Sequence, residues 1–261
     1  MAMTDSFAGG RGHLPINEAK RVRLGPELEA SADALAGRLW AMRRGRIDRP
    51  VEVDTWTFRT HDGAQAMMSI VVDPALEDYW AITDTNPPYS RDPMDLEMRV
   101  CHPRHFSTRS DLVNIIVHET VHAIDPSLTT GLSVRDQVSY GWWRGPEHEA
   151  GYLADKGEYT AVHSEFLDAL VRQFRSMRNT HSRAVLLATL GEVVAHFARP
   201  GRPTDRAGRL LARLATDRDL PGLVADIKSH SPAAHRSFLG KLYATADEIR
   251  AEVINQGRDR S

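Results

Sequence analysis

The residues His118-Glu119-Thr120-Val121-His122 stand between the apolar run Leu112-Val113-Asn114-Ile115-Ile116-Val117 and the segment Ala123-Ile124-Asp125, with Pro126 closing the stretch. Ser107, Thr108 and Asp111 are capping residue types, and the proline is a stop, so the expected helix runs from about residue 109 to 125. Leu112, Val113, Ile115, Ile116, Val117, Val121 and Ile124 make it apolar almost all round. A helix of that kind is a buried central element. Any layout of this chain must therefore wrap a core around it and dispose of its two histidines and one glutamate. Left unpaired there, they would cost several kcal/mol.

Positions four apart on a helix stack on one face. His118 and His122 thus present two imidazoles at a separation suited to one tetrahedral zinc ion. Glu119 lies about 100° further round the axis. That is too far to ligate beside the pair, yet within reach of a water on the metal, so one turn supplies two ligands and one base. The plain alternative is a helix that happens to carry two histidines; its burial argues for the metal.

A third ligand must come from elsewhere. A histidine six residues past the second is excluded, because that position is Leu128. Asp125 falls on the ligand face one turn beyond the pair; it could ligate, but a carboxylate there more often orients an imidazole by accepting its second N–H. The other acids lie in GPEHEAGYLADKGEYTAVHSEF. Glu158 opens an amphipathic helix whose stripe is Val162, Phe166, Leu170 and Phe174. Glu165, seven residues on, shares its face and competes with it, and Glu147, His148 and Glu149 are loop candidates. His163 is off that face and is expected to be a packed core histidine. His102 and His105 are expected at the surface or in a cap.

Around this centre the chain divides by period. Leu28, Leu35, Leu39 and Met42 form a helical stripe after Pro26. Strand-like segments follow over residues 50–102: VEVDTWTF, AQAMMSIVV, YWAIT and DLEMRVCH. From 157 onward the helical period dominates. Strands first and helices afterwards predict an α+β fold with a small mixed or antiparallel sheet. Residues 1–15 are Gly-rich and polar and are expected to be flexible.

Composition narrows the function. A formal charge of −2, carried by 29 Arg, 4 Lys and 35 acids, does not make a nucleic-acid surface, which needs concentrated positive charge. Cys101 is the only cysteine, so neither an internal disulfide nor a cysteine metal framework is possible. It is expected to be a buried small hydrophobe. No window approaches ~18 uninterrupted apolar residues, which argues against a membrane span. The start MAMTDSFAGGRGHLP has no apolar h-region, so the expected location is the cytoplasm, with signal-independent export left open.

The stretch HETVHAID … YLADKGEYTAVHSEF resembles the gluzincin pattern, in which H-E-x-x-H on one helix is completed by a glutamate on a second. It is particularly similar to the catalytic domain of the anthrax-toxin lethal-factor type, through Ala123-Ile124-Asp125 and through Tyr152 shortly before Glu158. The carboxylate that such domains carry one turn past the glutamate is Val162 here. The resemblance implies His118, His122 and Glu158 as Zn2+ ligands and Glu119 as general base. It also implies Tyr152 as hydrogen-bond donor to the reacting oxyanion. It further implies a zincin-like core over 16–180, with residues 181–261 as a helical C-terminal subdomain packed on it. Leu96-Glu97-Met98-Arg99-Val100 would be the edge strand along the cleft. The expected activity is a zinc metallopeptidase acting on a peptide or protein. A catalytically silent, zinc-clamped binding module and a zinc hydrolase of a non-peptide bond are the other classes the motif admits.

Overall fold

The structure is a computed structural model that describes residues 24–60, 63, 65–76, 80–85, 94–124, 156–199, 201–215 and 219–255. It is an α+β fold. Helix α1 (Pro26–Met42) is followed by strands β1 (Val51–Arg59), β2 (Gln65–Val72), β3 (Ala81–Thr85) and β4 (Met94–Val100), and then by α2 (Arg109–Ile124). Five further helices complete the described chain: α3 (Lys156–Met177), α4 (Arg183–Ala198), α5 (Asp205–Leu214), α6 (Leu220–His230) and α7 (Pro232–Asn255). None of them is long and apolar enough to cross a membrane.

The sheet is mixed, in the order β1-β2-β4-β3. β2 runs antiparallel to β1 and parallel to β4, and β3 is antiparallel to β4. The pairs Trp56↔Met68, Met68↔Leu96, Ile70↔Met98 and Val72↔Val100 put one row of large apolar side chains on a single face. That face is buried, while Met67, Glu52 and Arg99 alternate onto the exposed face.

The strand expected along the edge is not there. β4, with Leu96–Val100, lies inside the sheet between β2 and β3, and among the described residues the edge on that side is β3. The polar–apolar alternation of β4 reports one covered face, which an inner strand of a two-layer fold has as much as an edge strand.

α2 begins with a reciprocal cap. The Asp111 amide donates to Thr108 Oγ1 at 3.2 Å, and the Thr108 amide donates to Asp111 Oδ2 at 2.9 Å. From Asp111 to Ile124 every residue is buried, as its all-round apolar sequence requires. It packs on α1, α3 and β3. One continuous cluster of buried apolar residues joins α1, the sheet and α2, ending at Ala161. A second starts at the neighbouring Val162 and joins the other face of α3 to α4–α7. α3 is therefore the wall shared by both clusters. Its Phe166 stacks edge-on against Phe197 of α4 and Phe238 of α7, at centroid separations of 5.2 and 5.7 Å. Such pairs contribute about 0.5–1.5 kcal/mol each beyond their buried area.

α6 was not legible as a separate segment. Its start is signalled only by Asp219, whose side chain accepts from the Gly222 amide, and by Pro221 in the first turn. His102 is a capping residue but not a surface one. It is buried, its Nδ1 accepting from the Arg104 amide and its Nε2 donating to the Gly45 carbonyl at 3.2 Å. Cys101 is buried as expected, and burial pushes its thiol up to about 12.

Candidate metal centre

His118 and His122 are neighbours on one face of α2, with Nε2 atoms 3.3 Å apart and ring planes inclined at 67°. Across from them, Glu158 occupies the first turn of α3. Its Oε2 lies 3.3 Å from His118 Nε2 and its Oε1 3.7 Å from His122 Nε2. The three residues offer ligand atoms that all lie within 4.8 Å of one another.

These separations bear on what the group can hold. Ligands bound at about 2.0–2.1 Å to a tetrahedral ion are separated by edges of roughly 3.3–3.4 Å. The His–His distance and the shorter His–Glu distance, both 3.3 Å, match that edge. The donor set itself, two imidazoles and one carboxylate, suits zinc. His118 is 2% exposed, whereas the Glu158 side chain is 24% exposed.

Burial works against ionising Glu158. Hydrogen bonds from the His118 and His122 rings outweigh it and hold the carboxyl well below its usual range. The group that faces the imidazoles is an anion, which is the form a metal ligand needs.

The other face of His118 is also engaged. Its Nδ1 lies 3.1 Å from Oε2 of Glu165, a fully buried residue two turns along α3 from Glu158. Nδ1 and Nε2 are on different sides of the imidazole, so Glu165 stands behind the ring while Glu158 stands in front of it. With the Glu165 carboxyl accepting from Nδ1–H, a metal at the cluster would take the Nε2 lone pair of His118.

Glu119 is buried on α2, one residue past His118. Its backbone carbonyl accepts from Thr83 Oγ1 on β3 at 3.2 Å. This bond ties the sheet edge to the turn of α2 that carries the histidines, an arrangement that no pattern in the sequence signalled. His163 is the packed core histidine expected, fully buried between the rings of Tyr159 and Phe238.

Of the residues singled out in the sequence, the fold brings together His118, His122 and Glu158 and places Glu119 beside them. Glu165 comes to the same imidazole, at its Nδ1. Asp125 and Tyr152 lie outside the described residues, as do Glu147, His148 and Glu149. Set against known protein families, curated proteins and solved structures, the chain matches none.

Proposed function

We propose that this chain is a zinc metallopeptidase that hydrolyses peptide bonds. One observation carries the reading: two helices bring His118, His122 and Glu158 together at separations near a tetrahedral edge, with Glu119 in the same turn as the histidines. Those three residues would hold the ion. Zinc with three protein ligands keeps an open position, acts as a Lewis acid and lowers the pKa of water toward neutrality.

The protein's own part is proton handling and alignment. Glu119 takes the proton from the attacking water and passes it to the leaving amine. Glu165 keeps the His118 ring in the tautomer that binds metal. β3, whose Thr83 reaches the carbonyl of Glu119, offers a strand to which an extended peptide can add by main-chain pairing. Tyr152 belongs to this reading as donor to the oxyanion, on the strength of the sequence resemblance alone.

Glu119→Gln separates binding from chemistry, because the amide cannot act as a base. The zinc-loaded protein and this variant are compared on a degenerate peptide library, with cleavage read by mass spectrometry. The expected result is unchanged zinc content and a loss of turnover of about 10²–10⁴-fold. Equal cleavage by the variant, or none by the zinc-loaded wild type, contradicts the proposal.

A further inference from the structure

A second polar site lies at the other end of α2, roughly 14 Å along the helix axis from His118. Here α1, α2, α3 and α5 line an open cleft of about 460 Å³, within the range of roughly 300–1,000 Å³ typical of small-molecule sites. Three guanidinium groups line it, each from a different helix: Arg109 from α2, Arg172 from α3 and Arg213 from α5. The hydroxyls of Ser110 and Ser176 and the amide of Asn114 line it too.

Two of the arginines are held in place by the protein. Arg109 bonds the side chain and the carbonyl of Asp33, each at 2.7 Å and both through Nη2. Arg172 reaches across from Asp168 on its own helix to Asn114 on α2. These contacts fix the two guanidinium planes, each of which carries five N–H groups. Arg213 is exposed and has no ion pair or hydrogen bond among the described residues. Among the lining residues one carboxylate, Asp33, stands against three guanidinium groups, and the first turn of α2, whose end Asp111 caps, contributes Arg109 and Ser110.

We propose that this cleft binds a small phosphorylated molecule, its phosphoryl group bridged by Arg213, Arg109 and Arg172. A phosphoryl group presents three terminal oxygens in different directions, which suits donors arriving from three helices. A carboxylate offers two oxygens in one plane and suits a single fork. The Ser110 hydroxyl supplies a further donor to the phosphoryl oxygens, whereas that of Ser176 donates to the Gln173 carbonyl at 2.8 Å. Val113, Ala169 and Leu214 give the cleft an apolar wall for the rest of the ligand. The site is independent of the metal centre and of the activity proposed for it.

The test is isothermal titration of the full-length protein with inorganic phosphate at constant ionic strength, with succinate as the second probe. The variants are Arg213→Gln, whose exposed position leaves the core untouched, and His118→Ala, which disables the metal centre. The expected result is saturable phosphate binding that survives His118→Ala and weakens by about tenfold or more in Arg213→Gln, the loss of one charge-assisted contact. Succinate should bind more weakly than phosphate. The proposal is overturned if phosphate does not saturate, if Arg213→Gln binds it unchanged, if His118→Ala abolishes binding, or if succinate binds as tightly.

Discussion

Oε2 of Glu165 lies 3.1 Å from Nδ1 of His118, while Nε2 of the same ring faces His122 and Glu158 at 3.3 Å each. One imidazole is thus oriented from behind by α3 and presented in front to a residue of that same helix. Partners of this kind set both the tautomer and the basicity of a metal-binding histidine. Glu165→Ala is expected to weaken zinc affinity by about 10–100-fold, the usual effect of losing such a partner. Competition with a chromogenic chelator measures it. Unchanged affinity would mean that Glu165 only fills space.

How much of this was written in the sequence differs from residue to residue. The spacing of His118, Glu119 and His122 follows from the helical period, and the apolar residues around them announce burial. Glu158 and Glu165 are seven apart, so the period alone puts both near one face. Which stands in front of His118 and which behind depends on how α3 crosses α2, a relation that no local pattern encodes. The order of the strands was hidden for a similar reason. β2 pairs directly and in parallel with β4, although β3 comes between them along the chain, and alternation in Leu96, Met98 and Val100 marks the buried face without naming the neighbour. Thr83, a small polar residue in a short strand, carried no sign that it would reach the carbonyl of Glu119.

Arg172 ties α3 to α2 one turn before His118, bonding both Asn114 and the buried Asp168. Removing one partner of a buried ion pair costs about 3–5 kcal/mol. Arg172 itself is partly exposed, at 28% for its side chain, so solvent screening places the expected loss near the lower figure, about 3 kcal/mol. The urea midpoint of Arg172→Ala measures it. A shift no larger than that of a typical surface substitution, about 0.5 kcal/mol, would show that the helix pair does not depend on this contact.

His163 gives the fold an acid-sensitive point. Burial pushes its pKa down to about 3, and the charges of Lys241 and His235 act in the same direction. Neither ring nitrogen has a hydrogen-bond partner among the described residues. An unfolded histidine titrates near ~6.5. Between that pH and about 3 the unfolded chain binds a proton that the native state refuses, so stability falls as pH falls. The contribution is complete above pH ~6.5 and is lost at up to about 1.4 kcal/mol per pH unit below it, or about 2 kcal/mol by pH 5. His163→Phe, whose ring suits the contact with Tyr159 and Phe238, should flatten that part of the profile. Chemical denaturation at pH 7 and pH 5 compares the two proteins. An identical acid loss in the variant would assign the sensitivity to other groups.

Zinc content decides the rest. The wild-type protein and Glu158→Ala are loaded with zinc, dialysed together, and measured by inductively coupled plasma mass spectrometry, with circular dichroism confirming that both are folded. A single zinc ion per chain in the wild type and a large loss in the folded variant are expected. A wild-type protein that retains no zinc, or a variant that retains all of it, would contradict a centre built from His118, His122 and Glu158.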